Sequence, residues 1–177
     1  MKIKFENKYE ISMKFLREFY MGLFFKKKLS FYMYIASAAL ILINAYRYIS
    51  NGTWSIGSLE ALIVVCGITI LYNCAILLTI NSAAKSNYKS MQEVVKGQPC
   101  FSDIKVSDKY EITHSITGKS VSFNFNPVSS IKVTKNLIML QMTKDKWLTF
   151  RKDSFTVGTF DGFKSFLNTC YPGYKIK

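Results

Sequence analysis

Residues 29–49 read LSFYMYIASAALILINAYRYI, and residues 59–80 read LEALIVVCGITILYNCAILLTI. Each stretch holds one charged residue, Arg47 near the end of the first and Glu60 near the start of the second. A bilayer core of about 30 Å is crossed by roughly 20 apolar helical residues. The lengths therefore predict two transmembrane helices joined by a short loop. The alternative, a buried hairpin in a soluble protein, would need a larger core than 177 residues provide.

Basic residues are distributed unevenly around these two stretches. Eight precede the first stretch, three follow the second before residue 97, and the loop 50–58 has none. Because loops rich in lysine and arginine stay on the cytoplasmic side, the loop is expected outside and both termini inside. The 28 mostly polar residues at the start favour a retained anchor over a cleaved signal peptide. The sequence thus predicts a multi-pass protein of the cell membrane.

The first 28 residues form the predicted cytoplasmic amino-terminal segment. Residues 1–11 alternate between apolar and charged side chains, which favours a short strand. From Ser12 the period becomes helical, and Phe15, Phe19 and Leu23 share one face of an amphipathic helix. Two placements of this helix fit the pattern. It either packs on the soluble domain or lies in the headgroup layer with its lysines near anionic lipid.

Residues 29–96 comprise the predicted membrane hairpin and a continuation of its second helix. Apolar residues keep a helical spacing after the membrane stretch, at Ile80, Ala84 and Tyr88. This spacing predicts a cytoplasmic stalk of about four turns at 3.6 residues each. Gly97 and Pro99 are expected to end it.

Residues 97–177 are predicted to form a cytoplasmic α+β domain. Short runs in which apolar and polar residues alternate, such as 121–126, are separated by turn signals. Helical spacing returns near the end, with Thr159 as the expected N-cap and Asp161 in the first turn. Five to seven strands closed by a carboxy-terminal helix outline a pleckstrin-homology-like (PH-like) half barrel. Other small α+β domains fit this outline nearly as well.

The most distinctive stretch of this domain is LTFRKDSFTVGTFDGFKSFL, Leu148 to Leu167, preceded by apolar runs at 128–131 and 137–140. In these runs, and in the order of segments along nearly the whole chain, the sequence resembles the YcxB-like family of bacterial two-span membrane proteins. The stretch is similar to that family's final strand, turn and closing helix. The resemblance implies a PH-like cytoplasmic domain, and it assigns no biochemical activity.

Residues suited to catalysis or metal binding are sparse. The single histidine, His114, has the parity of Tyr110 and Ile112, which predicts a position partly buried in a sheet. No phosphate-binding loop, zinc-protease motif or nucleophile elbow is present. The four cysteines lack metal-ligand spacing and require no disulfide. The sequence therefore predicts a protein that is not an enzyme, without catalytic residues, metal or cofactor.

The net charge of +13 raises the possibility of nucleic-acid binding. The charge is spread, however, at +5 for residues 1–28, +2 for 29–96 and +6 for 97–177. Much of it serves membrane topology and proximity to anionic lipid. Nucleic acid is therefore not an expected partner.

Asn44 and Asn73 are the polar residues nearest the middle of the predicted spans. An unpaired amide in lipid is unfavourable, so each is expected to be hydrogen-bonded. A bond to the local backbone is the favoured interpretation. The alternative is pairing with another copy or another membrane protein, which would make the chain a homo-oligomer or part of a complex.

Two functional hypotheses follow. The first is a non-enzymatic, membrane-anchored protein whose PH-like domain binds a protein partner or the anionic inner leaflet. The second is an immunity protein that protects its own cell against a membrane-acting bacteriocin or secreted toxin. The candidate contacts to lipid or partner are basic residues: Lys26, Lys27, Lys28, Arg151 and Lys152.

Overall fold

The computed structural model describes residues 3–24, 27–52, 56–114, 120–124, 128–143 and 146–174. Within these ranges it has four helices and eight strands, so the predicted α+β class is confirmed. Residues 97–177 contain seven of the strands, and the eighth precedes the apolar stretches. In chain order the elements are β1 (Phe5–Glu10), α1 (Met13–Phe24), α2 (Lys27–Asn51), α3 (Ile56–Val94), β2 (Phe101–Val106), β3 (Tyr110–His114), β4 (Ser120–Phe123), β5 (Ser130–Val133), β6 (Leu137–Thr143), β7 (Lys146–Arg151), β8 (Phe155–Val157) and α4 (Phe160–Cys170).

The chain divides into two compact units. Residues Met1–Leu23 and Ala83–Lys177 form the first, here named the α+β unit, and Phe24–Ser82 form the second, the helical unit. The amino-terminal strand and helix therefore belong to the same unit as the carboxy-terminal strands. The last three turns of α3 belong to it as well.

Two antiparallel sheets build the α+β unit. The larger has the order β4-β3-β2-β1-β8, and the smaller has the order β5-β6-β7. Strand β1 lies inside the larger sheet, where Phe5 pairs with Val106 on one side and Glu6 pairs with Val157 on the other. Side chains of alternate residues then point to opposite faces, and the buried face carries Tyr9 and Ile104.

Helix α1 packs on the α+β unit, which is one of the two placements that the sequence predicted. Phe15 and Leu16 are buried, and the ring of Phe15 stacks on Tyr9 with centroids 4.9 Å apart. A Cβ at Gly22 would lie 2.5 Å from Cε of Met139 on β6, so the helix backbone approaches this strand closely. Because α1 covers one face of β6, the run Leu137–Leu140 is buried on both faces.

The predicted continuation of the second apolar stretch is confirmed as part of one helix, α3. Ala84 is fully buried, and Tyr88 and Met91 pack against the core of the α+β unit. The stalk is therefore part of that unit's packing rather than a bare spacer. The helix ends before Lys96 and Gly97, which have φ angles of 52° and 80° in the left-handed region that suits glycine.

Helix α4 closes the fold as predicted. The hydroxyl of Thr159 accepts a hydrogen bond from the amide of Gly162 at 3.1 Å, which confirms the N-cap. Phe163 and Leu167 are fully buried. The Phe163 ring lies 4.4 Å from that of Phe150, at the centre of an aromatic cluster. This cluster fixes α4 against the sheets.

In the part of the chain that the structure describes, one helix is long and apolar enough to cross a membrane, Leu59–Val94 within α3. Only 6% of its most apolar window is buried inside the protein. Helix α2 also presents large apolar side chains outward, Leu42 being 69% exposed and Ile49 82%. That α2 crosses a membrane stays a prediction.

Candidate functional site

An apolar groove opens in the α+β unit where the two sheets, α1 and the end of α3 meet. Its cavity volume is about 180 Å³. Most of its walls are hydrocarbon or aromatic, because the inward-facing residues of four strands converge there with one face of each helix. It is lined by Tyr9, Ile11, Phe15, Leu16, Phe19, Met91, Ser102, Ile104, Ile112, Trp147, Leu148 and Thr149.

The Tyr9 hydroxyl, a polar group of this apolar groove, is already hydrogen-bonded. The Tyr9 hydroxyl donates to the carbonyl oxygen of Thr149 at 2.7 Å. Burial of this phenol raises its pKa far above the usual value, against a smaller opposing effect of the Ser102 hydroxyl. Tyr9 therefore stays neutral near pH 7 and serves as a structural bridge between β1 and β7. The groove is suited to holding apolar atoms rather than to proton transfer.

A second, polar cavity of about 160 Å³ lies beside α1. Its lining includes Glu18, whose carboxylate accepts hydrogen bonds from the Thr134 hydroxyl at 2.6 Å and from the Asn136 amide nitrogens at 2.7 and 2.8 Å. Partial burial alone would raise the pKa of Glu18, but these hydrogen bonds and the nearby Lys152 outweigh it and hold the pKa below its usual value. Glu18 is therefore a charged anchor of α1.

The structure describes the backbone of four of the five predicted contact residues. Lys26 lies outside the described residues, and Lys27 and Lys28 occupy the first turn of α2. Arg151 and Lys152 follow one another at the end of β7. The structure therefore does not bring the described members of this set together in one patch within a single unit.

Arg151 and Lys152 are engaged in contacts within the α+β unit. The Arg151 guanidinium binds both carboxylate oxygens of Asp153, at 2.7 and 2.9 Å. Lys152 donates to the carbonyl oxygen of Thr134 at 2.8 Å, and its ammonium lies 5.4 Å from the ring centre of Phe160. Both side chains stabilise the fold, whereas the sequence predicted that they contact lipid or a partner.

The predicted local hydrogen bonds of the two asparagines in the predicted spans are confirmed. Nδ2 of Asn44 donates to the carbonyl oxygen of Leu40 at 2.8 Å, and that of Asn73 donates to Thr69 at 2.7 Å. Asn44 is 1% exposed, so its amide lies inside the protein. Asn73 is half-buried.

The described residues contain no group of three or more histidine, cysteine, aspartate or glutamate side chains that could hold a metal ion. All four cysteines are free, Cys100 being buried and Cys170 exposed. The side chain of His114, the one histidine, lies outside the described part.

Sequence reasoning missed the apolar groove and the Glu18 anchor. One feature of the sequence could have drawn attention to Glu18. It is an acidic residue, between Arg17 and Phe19, in α1, the helix that buries its apolar face. The groove had none, because its walls come from segments as far apart in sequence as Tyr9 and Thr149.

No family model, curated protein or solved structure matches this chain.

Proposed function

We propose that this chain is a non-enzymatic membrane protein whose α+β unit faces the cytoplasm and binds a protein partner through the apolar groove. The groove itself is the observation that carries the proposal. It is an open, apolar cavity beside the core of the unit, which contains the fully buried side chains of Tyr110, Phe150 and Phe163. Exposed apolar pockets of this kind mark interaction sites on protein surfaces.

The size of the groove favours a protein over a small molecule. Small-molecule sites usually enclose about 300–1,000 Å³. The groove holds about 180 Å³, which suits one large apolar side chain. Interfaces between proteins are commonly anchored by single aromatic or aliphatic residues in such pockets. Its lining residues include no carboxylate, imidazole, thiol or ammonium group that could serve as an acid, base or nucleophile.

Membrane anchorage is supported by the exposed apolar surface of the helical unit. A core helix of a soluble protein would bury such a surface, whereas the apolar window of Leu59–Val94 is only 6% buried. A soluble protein rarely leaves so much contiguous hydrocarbon in water. Lipid is the environment in which the exposed residues of α2 and α3 are stable.

The pairing of β1 supports two crossings rather than one. Strand β1 precedes α2, yet it is hydrogen-bonded to β2 and β8, which follow α3. The chain on both sides of residues 24–82 thus belongs to one folded unit, which lies on one side of a membrane. A segment that leaves and returns to the same side crosses an even number of times. If α3 crosses the bilayer, α2 is the helix available to cross it as well.

The distribution of basic residues supports a cytoplasmic location for the α+β unit. Residues 1–28 and 97–177 carry net charges of +5 and +6, whereas the predicted loop 50–58 has no basic residue. Short loops that lack lysine and arginine are the ones that are translocated.

Photo-cross-linking of the full chain in cells tests the binding proposal. A photoreactive amino acid at Ile11, on the wall of the groove, is expected to give one discrete protein adduct. The matched control is the same amino acid at Val121, which is 47% exposed on β4 and outside the groove. Met91→Trp is expected to abolish the adduct at Ile11, because the larger ring fills the cavity.

Identical adducts at Ile11 and Val121 would contradict the proposal. So would an Ile11 adduct that persists in Met91→Trp, or one that mass spectrometry identifies as lipid.

A further inference from the structure

Helix α1 keeps one face exposed after it has packed on the α+β unit. Lys14, Arg17, Met21 and Phe24 are exposed, the last two to 45% and 43%. At 100° per residue these four positions fall within an arc of about 80° on the helix. We name this face the outward stripe. Its amino-terminal half is cationic and its carboxy-terminal half is apolar.

The remaining residues of α1 either face the rest of the α+β unit or flank the stripe. Phe15 and Leu16 are buried, and the carboxylate of Glu18 is held by Thr134 and Asn136. Glu18 is the only acidic residue of α1, and it flanks the stripe one turn from Lys14, with which it lines the polar cavity. No carboxylate of the described chain lies in ion-pair distance of Lys14 or Arg17.

We infer that the outward stripe of α1 is a contact surface for an anionic bilayer, with Lys14 and Arg17 at the headgroups and Met21 and Phe24 in the interfacial layer. This inference rests on the membrane anchorage proposed above. Cations beside exposed apolar residues on one helix face are the features by which helices bind to an anionic lipid surface.

Chain connectivity brings the apolar half of the stripe close to the predicted span. Three Cα–Cα steps of 3.8 Å join Phe24 to Lys27, so Phe24 lies within about 11 Å of the start of α2. The apolar stretch begins at residue 29, and the exposed aromatic residues Phe31 and Tyr32 lie at its start. Aromatic side chains favour the boundary between hydrocarbon and headgroups. Phe24 is therefore the residue of the outward stripe nearest to the predicted span along the chain, and Met21 lies about one helical turn before it.

The test uses the full chain, with its native cysteines replaced by alanine, reconstituted in vesicles of phosphatidylcholine mixed with phosphatidylglycerol. A fluorophore at Met21→Cys is expected to be quenched by spin-labelled lipid and shielded from aqueous iodide. The control fluorophore at Val121→Cys, a position with similar exposure, is expected to show the reverse. Replacing both Lys14 and Arg17 by glutamine should lower the ratio of docked to undocked helix by about 30-fold, at about fivefold per charge.

Extraction with alkaline carbonate separates this inference from the anchorage proposal. If the chain resists extraction but the Met21→Cys fluorophore is as open to iodide as the one at Val121→Cys, the outward stripe does not contact the membrane. Quenching that is unchanged in pure phosphatidylcholine, or after removal of both charges, would overturn the requirement for anionic lipid. Release of the chain by carbonate would overturn the anchorage, and the inference with it.

Discussion

Glu18 joins α1 to the turn between β5 and β6 through three hydrogen bonds, two of them to Asn136 and one to Thr134. Lys152 adds a second link, since it donates to the carbonyl oxygen of Thr134 and lowers the pKa of Glu18. A carboxylate that accepts several hydrogen bonds is favoured in its charged form. The attachment of α1 therefore depends on the ionisation of one residue.

We predict that Glu18→Gln destabilises the α+β unit near pH 7 by about 1–2 kcal/mol. This loss is smaller than that expected for a fully buried charged group, because Glu18 is partly exposed to solvent. The NH₂ group of the glutamine would face an Asn136 N–H group, from which the carboxylate now accepts a hydrogen bond. Because the folded state lowers the pKa of Glu18 below its usual value of 4.5, its contribution is complete above that pH and is lost as the pH falls through the folded value.

The measurement is thermal unfolding of the full chain in detergent as a function of pH. The difference between the wild type and Glu18→Gln should shrink below about pH 4.5, the usual pKa of glutamate. Glu10→Gln, at an exposed position of β1, is the control and should leave the melting temperature nearly unchanged. A Glu18→Gln difference that is the same at acid and neutral pH would contradict this role.

The bonding partners of Arg151 and Lys152 could not be predicted from the sequence. Their charge is plain in the sequence, but the partner of each depends on folding. Asp153 lies two residues from Arg151, whereas Lys152 bonds to Thr134, eighteen positions earlier. A local pattern identifies a basic residue and leaves open whether it is already paired.

Helix α1 contributes to both surfaces for which contacts are proposed. One face builds the wall of the apolar groove through Phe15, Leu16 and Phe19, and the opposite face is the outward stripe. The close approach to β6 requires a residue without a side chain at Gly22, where a Cβ would meet Met139 at 2.5 Å and Thr134 at 2.9 Å.

We predict that Gly22→Val loosens α1 from β6 and costs about 1–3 kcal/mol, the usual range for overpacking a well-filled interface. Met139 is fully buried, so its side chain has little room to move away. Hydrogen exchange of the α1 amides in the full chain should quicken. Met21→Val, which introduces the same residue at an exposed neighbouring position, is the matched control and should keep its protection. Equal exchange in the two variants would contradict the close packing.

The helices were predictable from the sequence because their signals are local. Hydropathy over about 20 residues identifies α2 and α3, and the Thr159 cap with its helical spacing identifies α4. The partners of the strands were not predictable in this way. Strand β1 alternates like many short strands, but its neighbours β2 and β8 lie about 90 and 150 positions further along the chain. Only folding brings them together.

For the whole molecule, the central claim is that the chain crosses the membrane twice and holds its α+β unit in the cytoplasm. The claim joins three observations. The apolar surfaces of α2 and α3 are exposed, β1 is paired with strands that follow α3, and residues 50–58 include no lysine or arginine. The proposed binding of a cytoplasmic partner in the groove and the proposed contact of the outward stripe with the bilayer both assume that the unit lies at the inner surface of the membrane.

Labelling of single cysteines by a membrane-impermeant maleimide in intact spheroplasts tests this claim most directly. The full chain, with its native cysteines replaced by alanine, carries either Asn51→Cys at the end of α2 or Val121→Cys on β4, both exposed positions. We predict that Asn51→Cys is labelled in intact spheroplasts and that Val121→Cys is labelled only after the membrane is permeabilised. Labelling of Val121→Cys before permeabilisation, or protection of Asn51→Cys until then, would contradict the account.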